Sequence, residues 1–142
     1  MYLIDTNVVS EARKQRRADP GVARFFDGIA TRGKPVYLSA ITLGELRRGV
    51  ESIRHRGDLE QAERLERWLD TIVSEYEHCI LPFESEAAQV WGKLRVPHPE
   101  HELDKQIAAI ALVNDLVVVT RNVGHFEATG VRVLNPFSAG YY

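Results

Sequence analysis

The chain has 142 residues, 44% hydrophobic and 27% charged, which is the size and make-up of one domain, 1–142, with a single core. A net charge of -2 excludes nucleic-acid binding by overall positive potential, so a polyanion has to be met locally. One cysteine, Cys79, excludes an internal disulfide and a cysteine-based zinc site, and no apolar run is long enough to span a membrane, so the expectation is a soluble, unexported, cytoplasmic protein.

Tyr2-Leu3-Ile4 is a short apolar strand that runs straight into Asp5-Thr6-Asn7. A strand this early has no helix before it and is a candidate for the centre of an open sheet, where ligands bind beyond the carboxyl ends of the strands. The plainer reading of Asp5 is a cap for the turn that follows. Val8 to Ala12 predicts a short helix, and Arg13-Lys14-Gln15-Arg16-Arg17 a basic loop. Asp19-Pro20 has the form of an N-cap with proline at the first helical position, followed by Val22, Phe25, Phe26 and Ile29 at helical spacing. Gly33-Lys34-Pro35 breaks the chain before a second strand, Val36-Tyr37-Leu38.

Ser39 is the expected N-cap of a helix carrying Ile41, Leu43, Leu46 and Val50, with Glu45 about two turns in. A solvated glutamate pairing with Arg47 or Arg48 is its plainer reading. Gly57-Asp58 opens the longest helix, to about Tyr76, and its stripe of Ala62, Leu65, Leu69 and Ile72 predicts a helical hairpin with the helix before it. Trp68 lies off that stripe, either as a partner surface or covered by its own domain. Cys79-Ile80-Leu81 is a third strand, and a helix from Glu84 or Ser85 runs through Leu94. Pro97-His98-Pro99 is a hinge, whose neighbours His98 and His101 read as exposed bystanders rather than metal ligands.

Leu103 to Leu112 is a small-residue helix with Asp104 in its first turn, where a carboxylate gains a modest dipole contact of roughly 0.3–1 kcal/mol. Leu116 to Thr120 is a continuous apolar run suited to a parallel sheet covered on both faces, and Arg121-Asn122 follow at once. Phe126 anchors the next turn, and Val131 to Leu134 forms the last strand. Asp5, Glu45, Asp104 and Asn122 thus recur near strand ends. Three carboxylates in one cleft repel by about 4 kcal/mol per close pair at an effective dielectric near 20, so a cation has to neutralise them. Oxygen donors without a Cys or His cluster favour Mg²⁺ or Mn²⁺, whose bound water hydrolyses phosphodiesters. Arg13, Lys14, Arg16, Arg17, Arg47, Arg48 and Arg121 border that cleft in sequence, although a solvated loop remains the plainer reading of the basic run.

Three ordered blocks then carry a family resemblance. Tyr2 through Glu11, Leu38 through Gly49, and Asp104 through Leu112 with Val118 through Phe126 and Gly130 through Pro136 together resemble a PIN domain, most of all the VapC toxins and their FitB-like relatives. The resemblance implies a three-layer α/β fold: a mostly parallel sheet of four to five strands covered by helices. It implies an Mg²⁺- or Mn²⁺-dependent ribonuclease that cleaves RNA, a VapB-like antitoxin occupying the cleft and an apolar groove, and a homodimer. Asp5, Glu45 and Asp104 match the three principal acids, and Asn122 the fourth site, where many members have Asp. His125 falls where some others carry a second acid. Thr6 and Thr120 are the hydroxyls expected to orient a carboxylate or water, with Arg13, Arg47 and Arg121 as RNA contacts. A catalytically weak RNA- or protein-binding module, motivated by Asn122, and a phosphoacceptor using Asp5 as nucleophile are the alternatives.

Overall fold

The computed structural model describes residues 1–138. Its strands are β1 (Tyr2–Ile4), β2 (Val36–Ser39), β3 (Ile80–Leu81), β4 (Val117–Val119) and β5 (Val133–Leu134). They form one sheet in the order β3-β2-β1-β4-β5, and every neighbouring pair is parallel. The first strand is therefore the central one. Seven α-helices connect the strands: α1 (Thr6–Ala12), α2 (Pro20–Arg32), α3 (Ala40–His55), α4 (Leu59–Glu75), α5 (Ser85–Leu94), α6 (Glu102–Val113) and α7 (Val123–Phe126).

The pleat decides which side chains face which layer. Leu3 and Val118 enter one core with Ile107, Ile110 and Phe126, while the next residues, Ile4 and Val119, enter the other with Val8, Val22, Leu46 and Leu69. Leu3, Ile4, Val118 and Val119 are all fully buried. Each contributes about 1.5–3 kcal/mol of transfer free energy, which is why an unbroken apolar run is needed in a strand covered on both sides.

Local chemistry sets the helix ends. Asp19 accepts from the backbone N–H groups of Gly21 and Val22 with Pro20 in the first turn of α2, and left-handed Gly33 (φ 63°) closes that helix. Ser39 caps α3 through Thr42 N, and Asp58 caps α4 through Gln61 N. Several boundaries differ from the sequence reading by one to a few residues: α1 starts at Thr6, β2 includes Ser39, α6 runs from Glu102 to Val113, and β3, β4 and β5 are shorter than their apolar runs. Thr6 starts the helix because Asp5 is extended and its carboxylate accepts the Thr6 N–H. Trp68 packs partly buried against the core formed by α1, α2, α3 and α4 and also lines an open groove beside Arg13.

Candidate active site

The topology makes a crevice at the carboxyl end of the central strands. After β1 the chain turns into α1, which packs on one face, and after β4 it turns into α7, which packs on the other. Connections that diverge from adjacent parallel strands leave an open crevice between them, the usual ligand site of a doubly wound sheet. Asp5 leaves β1, α3 follows β2, and Thr120-Arg121-Asn122 follow β4, so three neighbouring strands deliver polar side chains to one edge.

Asp5 is 2% exposed and fully engaged. Its Oδ1 accepts the Thr6 N–H at 2.8 Å; its Oδ2 accepts the Thr120 hydroxyl at 2.7 Å and lies 3.3 Å from Asn7 Nδ2. The capping reading of Asp5 holds for Oδ1, while Oδ2 is tied to the end of β4 through Thr120. Thr120 Oγ1 in turn accepts the Asn122 N–H at 3.0 Å, and Asn7 Oδ1 accepts the Arg121 N–H at 3.1 Å. Glu45 reaches the same edge from α3, where its Oε1 accepts the Thr6 hydroxyl at 2.9 Å. One threonine therefore links two carboxylates, to Asp5 through its N–H and to Glu45 through its O–H.

Asp104 completes the set from the first turn of α6. Burial pushes the Asp5 carboxyl up to about 6; the bonds from Thr120 and Thr6 oppose this, and the charges of Asp104 and Glu45 add to it. Glu45 is also raised, mainly by burial, with Asp104 adding to the shift while the Thr6 hydrogen bond and Arg48 oppose it. The charge of Asp104 thus acts on both Asp5 and Glu45, and that of Glu45 acts on Asp5. The donor set is oxygen-rich, with Asn122 following at the N-cap of α7, its N–H on Thr120, and it suits a hard divalent cation.

The predicted rim cations are distributed differently. Arg47 pairs with Glu66 at 2.7 Å and Glu51 at 3.3 Å across the α3–α4 hairpin, so its charge is already balanced there. That corrects its reading as an uncommitted rim cation: facing the hairpin, not the cleft, is what its turn of α3 dictates. Arg13 lies over the Trp68 ring at 5.9 Å, and Arg121 over Phe137 at 4.8 Å. Arg48, exposed on the turn of α3 next to Glu45, is the cation whose field reaches the acidic pocket.

Sequence reasoning missed two groups. Asn7 holds both strand ends, and only its place two residues after Asp5 hinted at that role. His101 is not a bystander: its ring stacks on His125 at 3.9 Å, and His125 Nδ1 contacts Asp104 Oδ2 at 2.6 Å. Nothing in the pattern of a proline-rich loop signals this, because the contact spans loop, helix and strand end.

Residues 2–131 match the family model described as PIN domain. Toxin FitB of Neisseria gonorrhoeae is 36% identical over 96% of this chain and 99% of its own length. VapC ribonuclease Y4jK of Sinorhizobium fredii is 32% identical over 96% and 98%. The crystal structure of FitAcB from Neisseria gonorrhoeae superposes with a TM-score of 0.82 at 34% identity, covering 96% of this chain and 98% of that one. With a family match across most of its length, relatives of equal size and the same fold as a solved relative, this chain belongs to the PIN-domain family.

Proposed function

We propose that the chain is a divalent-metal-dependent endoribonuclease acting as the toxin of a VapBC-type toxin–antitoxin module. The observation that carries this reading is the convergence of acids at the sheet edge: Thr6 bonds both Asp5 and Glu45, and the charge of Asp104 acts on both carboxyls. Asp5, Glu45 and Asp104 would hold Mg²⁺ or Mn²⁺, with the Asn122 amide as a neutral fourth donor. When bound, such a cation acidifies water and stabilises the charge that develops on a phosphodiester.

The chain's own groups supply the orientation. Thr120 and the Thr6 N–H fix the Asp5 carboxylate, and the Thr6 hydroxyl fixes Glu45. Fixed carboxylates present their charge without reorganising during the reaction. Arg121 and Arg48 flank the pocket and supply positive charge to RNA phosphates; Arg13 serves the outer rim. A groove of about 300 Å³ lined by Val9, Ala12, Phe26, Trp68 and Ile72 adjoins Arg13 and suits an apolar antitoxin segment. The same reading carries a homodimer in the cytoplasm.

The test is RNA cleavage by purified protein after chelation and re-addition of Mg²⁺ or Mn²⁺. Asp104→Asn should retain the parental circular dichroism spectrum and lose cleavage and growth arrest. Cleavage that survives in that variant, or that ignores chelator, removes the reading. The uncharged Asn122 motivates one competitor, a module that binds RNA without cutting it; RNA binding with no metal-restored hydrolysis would favour that alternative.

A further inference from the structure

His101, Asp104 and His125 offer three ligand atoms that lie within 4.8 Å of one another. We propose that they form a second cation site, selective for a borderline divalent metal such as Zn²⁺ and built on imidazole nitrogen. It goes beyond the ribonuclease reading, since it needs neither RNA nor Asp5 and Glu45, although it shares Asp104.

The donor chemistry sets the selectivity. Mg²⁺ takes oxygen ligands and keeps its waters, whereas two imidazoles with one carboxylate suit Zn²⁺ and its neighbours in the transition series. Three protein ligands on Zn²⁺ leave its fourth position to water. Bonds of about 2.1 Å in a tetrahedron put ligand atoms roughly 3.4 Å apart, so separations that reach 4.8 Å close on binding while the 2.6 Å contact of His125 Nδ1 with Asp104 Oδ2 opens. Exposed His101 can make that movement by side-chain rotation.

The surrounding chain positions the cluster. His101 is left-handed (φ 58°) at the N-cap of α6, a backbone conformation uncommon for a residue with a side chain, and it places the imidazole over His125 with the rings 16° from parallel. The chain is tethered on both sides of it: buried Lys105 donates to the His98 carbonyl in the loop before, and Trp91 Nε1 donates to the Glu102 carbonyl just after, at 3.2 Å. His125 rides on α7, which buried Phe126 fixes to the core. Both imidazoles are thus delivered to Asp104 by elements held elsewhere.

The experiment titrates tag-free, chelator-treated full-length protein with ZnCl₂ in excess Mg²⁺, by calorimetry and by thermal unfolding, with CoCl₂ as a spectroscopic probe. One Zn²⁺ per chain is expected. His101→Gln and His125→Gln should each weaken binding at least about tenfold, the loss that follows even from removing an outer partner of a metal ligand. Asp5→Asn and Glu45→Gln should weaken Zn²⁺ binding less than either histidine variant does, since they remove charge near Asp104 but no ligand atom. The visible bands of bound Co²⁺ should be lost in both histidine variants. Unchanged affinity in His101→Gln overturns the proposal; so does a larger loss in Asp5→Asn than in the histidine variants, which would put Zn²⁺ in the acidic pocket. If His125→Gln fails to fold, His101→Gln decides alone, because that side chain is exposed. Failure here leaves the ribonuclease reading standing, since metal-restored cleavage is scored separately.

Discussion

Asp5→Asn should stabilise the metal-free protein at neutral pH while destroying its activity. The Asp5 carboxyl is pushed up to about 6 from an ordinary 3.8, so between those values the folded chain holds a proton that the unfolded chain has released. Stability therefore falls as pH rises through that window and levels off above about 7. The shift of roughly two pH units corresponds to about 3 kcal/mol, and the 2% exposure of Asp5 leaves little solvent to screen it. Asparagine removes that charge. It can still accept the Thr6 N–H, but its amide cannot accept the Thr120 hydroxyl, which costs about 1 kcal/mol. The net gain is about 1–2 kcal/mol, or roughly 3–8 °C in Tm for a domain of this size. Differential scanning calorimetry in chelator at pH 8 and at pH 4 reads it: Asp5→Asn melts above the parent at pH 8, and the gain disappears at pH 4. Millimolar Mg²⁺ should raise the parent's Tm and leave the variant's almost unmoved. A variant that melts lower than the parent at pH 8, or a gain that persists unchanged at pH 4, would refute the argument that Asp5 carries an uncompensated buried charge.

Three further substitutions probe the scaffold. Thr120→Val removes the hydroxyl that opposes the rise at Asp5 and leaves the Asn122 N–H without its acceptor, so the acid limb of the pH–rate profile should move to higher pH, with about 1–3 kcal/mol lost in denaturant unfolding. An unmoved acid limb would mean that Thr120 does not set the Asp5 proton. Gly21→Ala places a methyl 2.2 Å from the Pro136 carbonyl oxygen, where the backbones of α2 and the C-terminal segment meet, and urea titration should show a loss of about 1–3 kcal/mol from overpacking. Arg47→Ala opens only exposed ion pairs on the α3–α4 hairpin; stability should fall by no more than about 1 kcal/mol, and cleavage of RNA should hold near the parental rate in a single-turnover assay.

Much of the fold is legible locally because its signals are local. Asp19-Pro20, Ser39 and Asp58 announce helix starts through side chains that satisfy backbone N–H groups one to three residues away. The unbroken run from Leu116 to Thr120 reports burial on both faces, which only an interior parallel strand provides. Arg47 shows where that reading ends. Glu45 and Arg48 lie within two residues of it, yet its partners are Glu66 and Glu51, because a helix turns each successive side chain by about 100° and a hairpin brings a second helix alongside.

The same division runs through the site. Asp5, Glu45 and Asp104 stood out singly by their positions near strand and helix ends, and each also had an ordinary local reading as a cap, a solvated glutamate or a dipole contact. Strand order sets the ends of β2, β1 and β4 side by side, which brings Asp5 and Glu45 onto the two polar groups of Thr6. His101 and His125 had no such signal, since their contact depends on a left-handed residue at one helix start meeting a short helix after another strand. The sequence by itself determined the elements and their caps, because hydrogen bonding and burial within a few residues are encoded locally. Tertiary structure alone decided which charges share a pocket, because the repulsion that defines that pocket acts through space between residues up to a hundred positions apart.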